Sequence, residues 1–265
     1  MNLTTAKKQT IFLTVIHSVV RALGLLLRVI LSRLLGAELM GITELAQSLH
    51  MLVITPLTAG LPAAISRMTA RASENEKTIP LHAGIQLVRY ASAIMIPLLW
   101  FAAPVLSKVV GDVRVLPSLW FSSPCILILG YSAVYNGYCY GMEYSHYPAI
   151  SELLEQLLRL TFTVVLMQIF KHLTGPWYAG LPGVATGMAD IVGLFYVVRA
   201  IQAAPCAAQK SKKYQKPLLK LAFPSTVSRI IQTFFRSTMS VFIPIRLQAS
   251  GLIPAEATAQ LGMIN

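Results

Sequence analysis

Negative charge is scarce in this sequence: ten Asp and Glu stand against 22 Lys and Arg, and all four together make up 12% of 265 residues. A soluble domain carries about twice that charged share. With 55% hydrophobic residues and a mean hydropathy of +0.63, the shortage excludes an ordinary soluble globule and points to a multi-span membrane protein. The net charge of +12 would suggest nucleic acid in a soluble chain. In a membrane chain the excess basic residues are expected in cytoplasmic loops, and no nucleic-acid partner is implied. Cysteine is nearly absent too. Cys125, Cys139 and Cys206 lack metal-ligand spacing and fall in or beside apolar stretches or in a basic loop, so neither a disulfide nor a metal site is read. No residue set resembles a nucleophile with its base, and no glycine loop of phosphate-binding type is present. The sequence therefore gives no sign of an enzyme and calls for no cofactor.

Long apolar runs are what the chain has instead. Ile11 to Leu35 is 25 residues, long enough to cross about 30 Å of hydrocarbon as a tilted helix. It follows Lys7 and Lys8 as a signal peptide would, but it is too long, holds arginines and lacks a small-residue cleavage pattern, so it should remain in the mature protein. Arg21 and Arg28 cost roughly 5 to 7 kcal/mol near the centre of such a helix, which the surrounding Leu, Ile, Val and Phe offset only narrowly. Seven residues apart, they share one face with Gly24, and Thr14 and His17 extend it toward the N-terminus. Two guanidiniums beside a glycine suggest a water-filled cavity that receives an anion, against the plainer role of pairing with acids on neighbouring helices.

A second span is expected over residues 41–66, broken by TPLTAGLP, with Glu44, Gln47, Met51, Thr55 and Thr58 forming another polar stripe. Further spans are expected over residues 86–108, 116–138, 149–170 and 178–200, which completes six helices. Trp100, Trp120 and Trp177 and the tyrosines of NGYCYGMEYSHYPAI suit interfacial belts. In SELLEQLLRL, Glu152, Glu155 and Arg159 share a helix face, and Glu155 is within pairing reach of Arg159. That pair either pins the bundle or exchanges partners with a cavity arginine. With the N-terminus inside, twelve basic residues fall on the cytoplasmic side and five outside, which favours that orientation.

The domain reading is a first six-helix lobe over residues 1–200, a basic cytoplasmic connector over 201–217, and the start of a second lobe over 218–265. Arg229 and Arg236 repeat the seven-residue spacing, each 208 positions after Arg21 and Arg28, as an internal repeat would. On this reading the sequence stops within the second repeat.

The run GLLLRVILSRLLGAELMGITELAQSLHMLVITPLTAGLPAAISRM, then YNGYCYGMEYSHYPAISELLEQLLRL, then KLAFPSTVSRIIQTFFRS, resembles the multidrug/oligosaccharidyl-lipid/polysaccharide flippase superfamily, on its polysaccharide and lipid II flippase side. The resemblance implies an all-α polytopic membrane bundle, of which this chain would supply the first six-helix lobe of a two-lobe transporter and the start of the second. It implies movement of an undecaprenyl-diphosphate-linked glycan or peptidoglycan precursor to the outer leaflet of a bacterial plasma membrane, in some members for the spore cortex. Membrane lipid and cell-wall synthesis enzymes are the implied partners. Arg21 and Arg28 match the cavity arginines of that superfamily's first helix, with Arg229 and Arg236 facing them. A cation-coupled drug exporter using Glu44, Glu152 or Asp190, and a non-transporting membrane protein, are the alternative readings.

Overall fold

The computed structural model describes residues 3–173, 175–201 and 208–249; side chains 3–8, 109, 208–212, 236, 239–241, 243–245 and 247–249 are outside the description. Among the described residues the chain is helical throughout, with eight helices and two short 3-10 turns.

Helix α1, Leu3–Thr58, is two arms joined at Gly36, whose φ of 72° and ψ of 172° interrupt the helical path. Only glycine takes that conformation without a steric penalty. The arms lie back to back: Arg28 and Glu44, each eight residues from Gly36, meet at 2.9 Å. The expected first two spans are thus one helical hairpin. Its second arm ends at the TPLTAGLP break, and α2, Leu61–Arg71, resumes with Pro62 in its first turn, where proline's missing N–H costs nothing.

Helix α3, Ile79–Val110, contains Pro97 and Pro104 and ends on Gly111 in the left-handed conformation, φ 79°. The expected span over 116–138 is two helices, α4 (Leu116–Ser122) and α5 (Cys125–Gly141), bent by 46°. The break falls at Ser123 and Pro124, where proline cannot donate to the preceding turn. Helices α6, His146–Ile169, and α7, Pro176–Ile201, match the next two expected spans closely. The last helix, α8, is Ala208–Ala249, so the basic run after residue 208 lies on a helix and not in a loop. Tyr214 and Gln215 at its start bond to Glu76 and Gln86 beside the start of α3.

Among the described residues three helical stretches are long and apolar enough to cross a membrane: Gln9–Arg71, Glu74–Lys108 and Pro176–Ile201; the bent α4–α5 pair makes a fourth if counted as one span. The first of them contains both arms of α1. This is an all-α, multi-span membrane bundle. Its largest core joins α1, α2, α3, α5 and α8 through Leu57, Ile65, Leu81, Val88, Ile126, Val134 and Leu218. Close approach there depends on small residues: a Cβ at Gly137 of α5 would lie 2.6 Å from the Pro62 carbonyl oxygen, and one at Gly84 of α3 would meet Ile65 and Val134. Tight packing through small residues is how helices associate where lipid removes the hydrophobic drive between them.

Candidate functional site: an arginine-bearing cavity beside a buried ion pair

A cavity of about 630 Å³ lies between the two arms of α1 and the face of α8. Its wall on the first arm carries Gly24, Leu27, Arg28 and Leu31. A Cβ on Gly24 would meet nothing within 4 Å, so that glycine leaves open space beside Arg28. The second arm contributes Glu44, Gln47, Met51, Thr55 and Thr58, the polar stripe expected from spacing, and α8 contributes Arg229, Thr233 and Ser237. The hairpin makes this arrangement. Because the arms double back at Gly36, Gly24 and Arg28 of the first arm face the same space as the polar stripe of the second.

Arg28 donates to Glu44 at 2.9 Å, and both side chains keep contact with the open cavity, 44% and 23% exposed respectively. A guanidinium held by one carboxylate at that exposure retains further N–H donors for an incoming anion. Arg229 is exposed on the opposite wall. Here α8 is tied to α1 by polar contacts: Thr55 Oγ1 and Thr233 Oγ1 share a hydrogen bond at 3.2 Å, and Ser237 Oγ donates to the Ser48 carbonyl at 3.0 Å. Beyond these, Gly60 sits so close to α8 that a Cβ would come within 2.4 Å of the Ala222 carbonyl oxygen.

Other sequence-predicted residues are elsewhere. Arg21 is exposed on α1 and does not line the cavity; it lies two turns from Arg28 toward the N-terminus. The Arg236 side chain is outside the described residues. His17 Nδ1 lies 3.1 Å from Glu152 Oε2, and both are half-exposed, joining α1 to α6. Glu155 and Arg159 do not form the direct pair that their spacing allowed. Arg159 Nη2 instead donates to Asp190 Oδ1 at 2.9 Å, across to α7, while Ser151 Oγ donates to Glu155 at 2.8 Å. Gly193 explains Glu155: a Cβ there would lie 2.1 Å from Glu155 Oε1, so the carboxylate is seated directly on the α7 backbone. Asp190 is the one acidic residue of α7 and is 1% exposed, which makes it the natural counter-charge for the arginine on the neighbouring helix. Helical spacing reports neighbours within α6 and says nothing of α7, so this pairing escaped it.

The Arg159–Asp190 pair borders a second, smaller cavity of about 240 Å³ lined by α1, α4, α5, α6 and α7. Leu27, Leu31, Thr43, Gln47 and Met51 line both spaces, so the two adjoin. His50, Ser118 and Thr163 line the smaller chamber and were not singled out by sequence. Their signal was weak: single polar residues inside apolar runs.

Comparison with known proteins agrees with this architecture. Residues 6–252 match the family described as polysaccharide biosynthesis protein. The chain is 29% identical over 273 aligned residues to stage V sporulation protein B of Bacillus subtilis (strain 168), covering 97% of this chain and 52% of that protein. It thus spans about half the length of the curated relative it matches. Among solved structures, an inward-facing multidrug resistance MATE family transporter of the MOP superfamily superposes with a TM-score of 0.63 at 15% identity, over 89% of this chain and 59% of that one. That likeness is one of fold. The match across nearly the whole sequence, on a bundle whose helical hairpin, broken second span and α8 all lie within it, places the chain in the polysaccharide biosynthesis protein family.

Proposed function

We propose that this chain forms part of a membrane flippase that moves an undecaprenyl-diphosphate-linked glycan or peptidoglycan precursor to the outer leaflet, with Arg28 and Arg229 holding the diphosphate. The observation that carries the reading is the cavity itself, which brings an arginine from α1 and one from α8 to a common space although they are 201 residues apart in sequence. A diphosphate in a site of low dielectric needs charge-assisted donors, and guanidinium forks match its oxygens. Arg21, two turns from Arg28 toward the N-terminus, would meet the anion on its approach. Glu44 holds Arg28 when no anion is bound and yields it to the diphosphate. The lipid tail stays in the bilayer while the α8 side rocks against α1 around this site.

The likeness to stage V sporulation protein B suggests a precursor of the spore cortex, a bacterial plasma membrane with the N-terminus cytoplasmic, and cell-wall synthesis enzymes as neighbours. Residues 1–200 would act as one lobe, with residues 218 onward as the start of the other. An exporter of cationic drugs fits less well: each carboxylate it could use, Glu44, Glu152 or Asp190, already faces Arg28, His17 or Arg159.

Leaflet exchange of a fluorescent undecaprenyl-diphosphate-linked sugar, followed by quenching in vesicles that carry the protein, tests the proposal. Arg28→Ala and Arg229→Ala are each expected to abolish exchange with membrane insertion unchanged. Wild-type exchange by both variants would overturn it.

A further inference from the structure

The arginine cavity has more room than a diphosphate fills: its volume of about 630 Å³ corresponds to roughly twenty waters at about 30 Å³ each. Where the spare room lies follows from the hairpin. Both arms of α1 advance about 1.5 Å per residue away from Gly36, and Arg28 and Glu44, eight residues out on either arm, meet at 2.9 Å. One turn further out, Gly24 of the first arm stands level with Gln47 and Ser48 of the second, and all three line the cavity. A Cβ on Gly24 would meet nothing within 4 Å, so the space beside it is open.

Gln47 brings an unused side chain to that space. On the same arm Thr43, Thr55 and Thr58 donate to the carbonyls of Leu39, Met51 and Ile54, and Glu44 holds Arg28. Gln47 has no hydrogen-bond partner among the described residues, and it is exposed, so a ligand in the cavity can reach its carboxamide. The chemistry of that group selects what it would bind. A carboxamide is neutral and presents N–H donors and a carbonyl acceptor side by side. Phosphate oxygens accept only, and they would leave the carbonyl facing like charge. Neighbouring sugar hydroxyls each give and accept, so they satisfy both halves of the amide.

We infer that Gln47 reads the sugar next to the diphosphate, bonding to its hydroxyls in the open space that Gly24 leaves, one helical turn from the anion at Arg28. This inference deepens the proposed function and rests on it. Gln47 is then a specificity-determining residue: a carrier lipid without its sugar leaves the carboxamide to water, and the sugar-bearing lipid gains the added bonds.

The experiment compares binding of two probes, bare undecaprenyl diphosphate and undecaprenyl diphosphate carrying one N-acetylglucosamine, to the purified chain in lipid nanodiscs. In the wild type the sugar-bearing probe is expected to bind roughly tenfold more tightly, the worth of one or two neutral hydrogen bonds. Gln47→Met keeps the length of the side chain and removes the amide, and the ratio of the two affinities is expected to fall close to one. Gly24→Leu fills the open space from a position where a Cβ meets no neighbour, and it is expected to remove the preference for the sugar-bearing probe as well. Equal affinities for the two probes in the wild type would overturn the inference and leave Gln47 as a hydrated side chain. A tenfold ratio that persists in Gln47→Met would overturn it too, since the sugar would then be read elsewhere. Failure of the wild type to bind bare undecaprenyl diphosphate is a distinct result: it would overturn the arginine cavity, and this inference with it.

Discussion

Two arginines of the helical bundle are paired with carboxylates at the same distance, 2.9 Å, and differ in nearly everything else. Arg28 and Glu44 face an open cavity, 44% and 23% exposed; Arg159 and Asp190 are 23% and 1% exposed between α6 and α7. A pair in contact with solvent contributes little to stability and can exchange its partner. A buried pair is different: each charge depends on the other, and removing one strands its partner in a medium that cannot solvate it. The cavity pair is therefore available for a ligand, whereas the two members of the α6–α7 pair must be kept together.

The largest test of this contrast is to remove one carboxylate from each pair. Asp190→Ala should cost about 3 to 5 kcal/mol by leaving Arg159 unpaired, read as a large fall in unfolding temperature or loss of folded protein from membranes. Glu44→Ala should change stability by less than about 1 kcal/mol. Equal losses in the two variants would erase the distinction between the regions.

Much of the cavity side was legible in the sequence, and little of the α6–α7 side. The stripe from Glu44 to Thr58 and the face shared by Gly24 and Arg28 are properties of one helix at a time, so spacing alone located them. Whether Arg21 joins Arg28 depends on where the cavity ends along α1, and spacing cannot say that; the structure puts Arg21 beyond its lining. The Arg159–Asp190 pair joins two helices, and the choice between Glu155 and Asp190 is decided by Gly193, which lets Glu155 rest on α7 and leaves Arg159 to Asp190. The bend between α4 and α5 is marked in the sequence by Ser122, Ser123 and Pro124, a short polar break that the length and mean hydropathy of the stretch conceal.

Packing on the two sides sharpens the comparison further. Gly137→Ala in the tightly packed bundle drives a methyl group into the Pro62 backbone and should cost about 1 to 3 kcal/mol, measurable as a lower unfolding temperature. At the hairpin turn, Gly36→Ala meets no atom within 4 Å but must adopt a φ of 72°, at a cost of roughly 1 to 2 kcal/mol. A smaller effect, about 0.5 to 1.5 kcal/mol, is expected from Thr55→Val, which removes the bond to Thr233 in the cavity lining. Crosslinking between cysteines placed on α1 and α8 should then report a looser contact, with the α6–α7 packing unchanged.

The most direct measurement is the affinity of undecaprenyl diphosphate for the Arg28→Ala/Arg229→Ala double variant, alongside its unfolding temperature. Two lost charge-assisted contacts of about 1.5 to 3 kcal/mol each should weaken binding by a factor on the order of 100 or more, with the unfolding temperature close to that of the wild type. Wild-type affinity in the double variant would contradict the account, since the cavity would then bind its lipid without the two arginines that define it.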